Sequence, residues 1–282
     1  MLGLSVVAVA LTAPACAGES SQRYERGPAR APAAGGYFRL AAVGASFPTE
    51  RECARRVRRS SWEPRPGNYR ANHLTPRRLR LRSVTDYDTR WNERYRARIT
   101  GAFVGTTDEI IQWSACKWGL SDEIMRAQAL VESRWHQAAR GDPEPRSEGN
   151  CTVQDRSDPC PTSFGLLQNK WYFNRAGYPM LRTMTSFHLD WSAAQLRGCY
   201  DGRKGFPAGH IWACLGNWFP GRWNDPQALD YIARVRAELA AKPWREWDDR
   251  GGTVPYRIRL RPVARALTHT GRSVGAARRA VL

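Results

Sequence analysis

The sequence is most informative at residues 125–133, MRAQALVES, where a glutamate, Glu132, stands near the end of an otherwise apolar helical stretch. Its neighbours three, four and seven residues away on a helix are Met125, Gln128, Ala129, Trp135 and His136. Most of that surface is apolar, and removal from water raises the pKa of a carboxyl group. A carboxylic acid that keeps its proton near neutral pH can protonate a glycosidic oxygen. Taken alone, Glu132 is better explained as an exposed residue near the helix C-terminus that pairs with a neighbouring arginine.

Three further segments follow Glu132-Ser133 along the chain: SFGLLQ at 163–168, GNWFPGR at 216–222 and YIARV at 231–235. In this order the four motifs resemble those of the soluble lytic transglycosylases and their relatives, the goose-type lysozymes. In that family a Glu-Ser pair ends one helix and a Gly-Leu-Met-Gln run opens another. The sequences Tyr-Asn-Ala-Gly-Pro-Gly-Arg and Tyr-Val-x-Arg-Val come later. Four ordered motifs are more specific than any one of them.

The resemblance implies a mainly α, lysozyme-like helical domain, which we place at residues 99–247. A capping box at 106–109 predicts a helix that runs to Trp118, before Gly119. Ser121 is expected to cap the helix that carries Glu132. Further helices are predicted from Ser163 or Phe164 and at 192–200, 211–218 and 226–242. Because no alternating apolar pattern is found in this block, it is predicted to be all-α.

The flanking regions differ in composition from this domain. Residues 1–17 resemble a secretory signal, with an apolar run before a small-x-small site, although no basic residue precedes the run. Residues 18–98 form an Arg- and Pro-rich extension, expected to lie partly ordered on the main domain, and residues 248–282 form a basic, irregular tail. Residues 144–161 are interpreted as a disulfide-pinned insertion loop. No stretch is long and apolar enough for a transmembrane helix.

The cysteines indicate an exported protein. There are seven, and removal or lipidation of Cys16 leaves an even set. Proximity favours two disulfides and leaves a third: Cys151 with Cys160, Cys199 with Cys214, and Cys53 with Cys116. A zinc site that uses Cys214, His210 and His136 is the competing interpretation, but the paired spacing of zinc ligands is missing. We therefore expect a secreted or cell-envelope protein, with Cys16 as the anchor if it is lipidated.

The formal net charge of +18, from 44 Lys and Arg against 26 Asp and Glu, favours an acidic polymer as partner. Composition alone does not choose among nucleic acid, anionic lipid and the bacterial wall. The export signal and the lack of a recognised motif argue against nucleic acid. The expected partners are peptidoglycan glycan strands, with anionic wall polymers bound by the Arg-rich extensions.

The resemblance also implies a chemistry, namely cleavage of the β-1,4 bond between N-acetylmuramic acid and N-acetylglucosamine. Carried over by position, Glu132 is the single acid/base, and Gln168, Tyr231 and Asn217 bind substrate. Ser163 is a candidate hydrogen-bond partner for Glu132 or the substrate, or else a helix N-cap. Gly216 replaces a tyrosine of the family, and Trp218 and Phe219 replace small residues. No metal or organic cofactor is implied, because single-carboxylate acid/base chemistry needs none.

Two alternatives remain open on sequence grounds. A hydrolase acting on the same bond would need a second carboxylate to activate water, and the candidates are Asp142, Asp155, Asp158 and Asp190. A turn explains Asp142, and Asp190 is expected to cap the following helix. The other alternative is a non-catalytic wall-binding protein on the same fold.

Overall fold

The computed structural model of the protein describes residues 36–81, 89–219, 221–222 and 225–248. The predicted signal segment with Cys16, the start of the N-terminal extension and the basic tail from residue 249 lie outside these residues. The α-helices within them are α1 (Glu50–Arg56), α2 (Tyr69–Asn72), α3 (Thr89–Arg94), α4 (Thr107–Trp118), α5 (Asp122–Ser133), α6 (Met180–Thr183), α7 (Thr185–Tyr200), α8 (Ile211–Trp218) and α9 (Pro226–Ala241). Short 3₁₀ helices lie at Pro66–Asn68, Arg96–Arg98, Arg146–Glu148, Arg175–Gly177, Arg203–Gly205 and Pro243–Glu246. The prediction of a mainly helical protein is confirmed.

Two central helices begin and end where their capping residues predict. Thr106 and Glu109 exchange hydrogen bonds at the start of α4, and Gly119, with a φ of 58°, ends it. Ser121 accepts a hydrogen bond from the backbone of Ile124 at the start of α5. These local interactions place Glu132 in the last turn of α5.

The prediction of an all-α block is wrong, because a three-stranded antiparallel sheet follows α5. Its strands are β1 (Arg140–Glu144), β2 (Cys160–Phe164) and β3 (Asn169–Lys170), in the order β1-β2-β3. The helix predicted from Ser163 or Phe164 is therefore replaced by β2 and a turn. The turn requires glycine at position 165, because its φ is 81° and a Cβ on it would lie 2.5 Å from the ring of His188.

The later helices follow the predicted pattern with one exception. Both α8 and α9 lie at the predicted positions, whereas α7 begins at Thr185 instead of residue 192. Asp190 therefore lies inside α7, and the prediction that it caps the following helix is wrong. Its carboxylate instead accepts hydrogen bonds from Lys117 and from the backbone of Thr100 and Gly101.

Three disulfides join the cysteines as predicted, pairing Cys53 with Cys116, Cys151 with Cys160, and Cys199 with Cys214. The second closes the loop between β1 and β2, which confirms that a disulfide pins this loop. Because Cys214 is bonded to Cys199, it is not a thiolate ligand for zinc. Three disulfides indicate an oxidising, extracytoplasmic compartment.

The segment before residue 98 contributes to the hydrophobic core. Phe38, Trp62 and Trp91 are buried there, and Cys53 links α1 to α4. This segment is more deeply packed than the surface extension that its Arg and Pro content suggests. Within the described ranges, no helix is both long and apolar enough to cross a membrane.

Candidate active site

A cleft of about 970 Å³ lies between the end of α5, the sheet, and helices α7, α8 and α9. Among its lining residues are Glu132, Gln168, Asn217 and Tyr231, which are widely separated along the chain. Ser163, the remaining predicted site residue, is buried in β2. The fold thus brings the side chains of all four sequence motifs to one region.

Glu132 is half-buried at the end of α5 and faces Tyr231 of α9. The Tyr231 hydroxyl donates a hydrogen bond of 2.5 Å to Glu132 Oε1, and the tyrosine side chain is only 1% exposed. In the part of the chain that the structure describes, this hydroxyl is the single hydrogen-bond donor to the carboxyl. The carboxyl therefore has one fixed partner and one side open to the cleft.

Partial burial raises the pKa of Glu132 from its ordinary value of 4.5 to about 8. The hydrogen bond from Tyr231 acts in the opposite direction, because it favours the charged carboxylate. The negative charge of Asp142 raises the same pKa further, and the positive charge of Arg234 lowers it. Burial and the nearby Glu132 also raise the pKa of Tyr231 well above its ordinary value. Near neutral pH both groups consequently carry their protons.

Ser133, the second residue of the Glu-Ser pair, has an interaction that the sequence does not reveal. Its hydroxyl donates a hydrogen bond of 2.9 Å to the carbonyl of Leu166, within the turn that follows β2. The same turn is held at Leu167, where the backbone N–H donates to His188 Nε2 and the carbonyl accepts from Trp218 Nε1. The first two motifs are thus joined directly, because Ser133 fastens the turn that carries Gln168 to the end of α5.

Gln168 lines the cleft at the end of this turn. Its backbone is left-handed, with a φ of 45°, and its side-chain amide donates a 2.8 Å hydrogen bond to the carbonyl of Gly165. The side-chain oxygen lies close to Gly141 of β1, where a Cβ would come within 2.2 Å of it. Gly141 is therefore required for the approach of Gln168 to the first strand.

Among the described residues, the Ser163 hydroxyl makes its hydrogen bond to neither Glu132 nor a helix N-terminus. Its hydroxyl donates a hydrogen bond of 2.6 Å to Asp142 Oδ2, across the β1-β2 pair. Asp142 lies in β1 with a φ of 48°, lines the cleft and has Lys170 Nζ at 3.6 Å. Ser163 thus orients a second carboxylate that faces the same cleft as Glu132.

The other aspartates considered as partners of Glu132 have structural roles elsewhere. Asp155 pairs with Arg140 at 3.2 Å and with Arg182 at 3.1 Å. Asp158 accepts a hydrogen bond from the backbone of Arg146, and Asp190 is buried against Lys117. Asp142 is therefore the member of that set that can act with Glu132.

The third motif contributes Asn217 and Phe219. Asn217 lines the cleft; its side-chain oxygen is buried, and within the described residues it has no hydrogen-bond partner. Gly216, where the family has a tyrosine, is explained by packing: a Cβ there would lie 2.9 Å from Ile232 Cδ1 of α9. The ring of Phe219 stacks parallel to Tyr231, with 5.6 Å between the ring centroids.

Other residues of the cleft were not recognised in the sequence. They include Lys170, Phe173, Asn174, Gln195, Arg222 and Arg234. The aromatic run WYF at 171–173 is a usable signal for Phe173, and Arg222 and Arg234 lie inside the third and fourth motifs. Lys170, Asn174 and Gln195 have no distinguishing pattern. Across the described ranges, no three His, Cys, Asp or Glu side chains are grouped closely enough to hold a metal ion.

Compared with known protein families, curated proteins and solved structures, the chain has no match.

Proposed function

We propose that this protein is an exported lytic transglycosylase that cleaves the β-1,4 bond between N-acetylmuramic acid and N-acetylglucosamine in peptidoglycan. One observation carries the proposal: Glu132, with a pKa raised to about 8, lies on an open cleft beside a single buried hydroxyl. A group with these properties can donate a proton near neutral pH and take one back later.

In the first step, protonated Glu132 gives its proton to the departing glycosidic oxygen while the bond from that oxygen to C1 of the muramyl sugar breaks. Positive charge then develops at C1 and the ring oxygen. The hydrogen bond from Tyr231 stabilises the carboxylate formed on Glu132, because a donor to a carboxylate favours its charged form. Tyr231 thus makes the proton donation easier.

In the second step, the Glu132 carboxylate takes the proton from the C6 hydroxyl of the same sugar, and that oxygen bonds to C1. The product is a 1,6-anhydro sugar, Glu132 is protonated again, and no water is consumed. We assign substrate binding to Gln168 and Asn217, whose amide groups can contact sugar hydroxyl or acetamido groups. Ser163 contributes indirectly, through Asp142.

Hydrolysis of the same bond is the second candidate, and the position of Asp142 favours it. This carboxylate lines the cleft and is oriented by Ser163 and Lys170. A second carboxylate can act as a base that activates water, as in inverting glycosidases. In that case C1 receives water, and the products have ordinary reducing ends.

Peptidoglycan strands are the proposed substrate, with anionic wall polymers contacting the Arg-rich extensions. Secretion and a lipid anchor at Cys16 would bring the protein to the envelope. A wall-binding protein without activity would bind glycan in the same cleft and anionic polymers through its basic residues. Its binding would not depend on the proton of Glu132.

The test is mass spectrometry of the soluble products from purified peptidoglycan, with wild type, Glu132→Gln and Glu148→Gln in parallel. Glu148 is exposed outside the cleft, so its variant controls for the same chemical change. We expect anhydromuramyl products from wild type and Glu148→Gln, and none from Glu132→Gln. Reducing-end muramyl products would instead identify a hydrolase. Cleavage by Glu132→Gln would refute the assignment, and wall binding without any released fragment would indicate a binding protein.

A further inference from the structure

Two phenylalanines that line the cleft remain open to solvent. Phe219 is 50% exposed and Phe173 is 70% exposed, although both are large apolar side chains. Exposed apolar surface in a polar cleft loses the favourable free energy of burial unless a ligand covers it. The two rings therefore favour a ligand that has apolar faces to cover them and polar groups to bind the rest of the cleft.

Phe219 is held in a fixed orientation relative to Glu132. Its ring lies parallel to that of buried Tyr231, with an angle of 3° between the planes, and Tyr231 donates directly to Glu132. The Arg234 guanidinium lies 5.7 Å from the centre of the Phe219 ring. Tyr231 thus fixes the orientation of the Phe219 ring and also positions the Glu132 carboxyl.

Phe173 comes from a different part of the cleft, three residues after the end of β3. Its ring meets Tyr172 edge-on, with 4.5 Å between the centroids, and the Tyr172 hydroxyl lies within hydrogen-bond distance of Lys170 and Glu144. The ring contacts of Phe173 and of Phe219 involve different neighbours. The cleft therefore offers two separate aromatic faces, each supported by its own neighbours.

We propose that Phe219 and Phe173 are stacking platforms for two different pyranose rings of a β-linked glycan strand. This inference rests on the proposed function, since it names the substrate contacts of the same cleft. A β-linked pyranose with equatorial substituents has a face of axial C–H bonds, which complements the negative face of an aromatic ring. The polar edge of each sugar is left for amides such as Gln168 and Asn217. Phe219 sets the position of a sugar relative to Glu132, and Phe173 extends recognition to another sugar.

The test is calorimetric binding of a soluble β-1,4-linked N-acetylglucosamine hexamer to Glu132→Gln protein, in which cleavage does not interfere. Phe219→Ala and Phe173→Ala are each introduced into this background. Phe219→Leu keeps an apolar side chain but removes the flat face. Tyr69→Ala is the matched control, because Tyr69 is 65% exposed and lies outside the cleft. Thermal unfolding of every variant checks that the fold is retained.

We expect the dissociation constant to rise about tenfold for each alanine variant and for Phe219→Leu, and not to change for Tyr69→Ala. The double alanine variant should bind about a hundredfold more weakly, because independent contacts add in free energy. Unchanged binding in both single variants, weakening at only one position, or no binding by the Glu132→Gln parent would overturn the inference. These results are separate from the product analysis: if cleavage needs Glu132 and binding ignores both phenylalanines, only the platforms are wrong.

Discussion

Glu132 and Asp190 are both acidic residues of helices, but their surroundings are opposite. Asp190 has a fully buried side chain and accepts hydrogen bonds from Lys117 Nζ at 2.7 Å and Trp118 Nε1 at 2.6 Å. The backbone N–H groups of Thr100 and Gly101 add two more donors. Among the described residues, Glu132 has Tyr231 as its hydrogen-bond donor and an open cleft on the other side.

The difference separates a structural carboxylate from a chemically usable one. The charge of Asp190 is balanced by Lys117, and its oxygens are occupied by fixed donors, so its contribution is to stability. Glu132 is removed from water without an equivalent set of donors, and its raised pKa is the consequence. Four changes test this contrast, and they are ordered by the size of the expected effect.

The largest effect is expected for Asp190→Asn. This change removes the charge that faces Lys117 in the core, and breaking a buried pair on one side costs about 3–5 kcal/mol. Denaturant unfolding measures the loss. The exposed pair of Asp230 with Arg234 provides the control, since Asp230→Asn should cost less than about 1 kcal/mol. Comparable small losses for both variants would show that the Asp190 network is not structural.

Glu132→Gln is expected to stabilise the protein, with an effect that depends on pH. Below pH 4.5 the carboxyl is protonated in both the folded and the unfolded chain, so the variant and wild type have similar stability. Between pH 4.5 and about 8 the unfolded chain releases the proton while the folded chain retains it, and wild-type stability falls as the pH rises. Because the side chain is only half-buried, we expect the variant to gain about 2 kcal/mol by pH 8. A difference in unfolding free energy that does not vary with pH would contradict the raised pKa.

Tyr231→Phe removes the hydroxyl that favours the charged form of Glu132, so the pKa of Glu132 should rise. Activity falls at alkaline pH as Glu132 loses its proton. This alkaline limb of the pH–activity profile should then move to higher pH. Loss of a hydrogen bond to the carboxylate should also lower kcat about tenfold. Tyr95→Phe is the control, because its hydroxyl binds Asp201 away from the cleft. A shift of the alkaline limb to lower pH in Tyr231→Phe would contradict the role of this hydroxyl in lowering the pKa of Glu132.

Asp142→Asn should have the smallest effect, in the opposite direction. Its negative charge raises the pKa of Glu132, so neutralisation should move the alkaline limb to lower pH. High salt should reduce the shift, because Asp142 is exposed. Asp158→Asn, on the pinned loop, should leave the limb in place. Loss of reducing-end products in Asp142→Asn, instead of a shifted limb, would assign the water-activating role to Asp142.

The contrast also explains what sequence could predict. α4 and α5 depend on residues within a few positions of their ends, such as Thr106, Glu109 and Ser121, and local patterns predict them. Two disulfide pairs follow from proximity along the chain, and the third joins the two cysteines that remain. The sheet was missed because β1 contains Gly141 and Pro143 and is defined by its pairing with β2.

For the site, the sequence likewise predicts the residues in local motifs but not the contacts between distant ones. Glu132 and Tyr231 could be identified from their motifs, yet their hydrogen bond joins residues 99 positions apart and requires α5 to pack on α9. Two further hydrogen bonds join residues that are distant along the chain. Ser133 donates to the 165–168 turn, and Ser163 donates to Asp142. Phe173 belongs to no motif, and only the fold brings it to the cleft.

The central claim is that Glu132 carries a proton at neutral pH, and infrared difference titration of wild type against Glu132→Gln tests it directly. The carbonyl stretch of a protonated carboxyl group, present in wild type and missing from the variant, reports this residue alone. We expect the band to persist at pH 7 and to disappear with a midpoint of about 8. A midpoint near the ordinary value of 4.5 would show that Glu132 is ionised at neutral pH and is not the acid that this account requires.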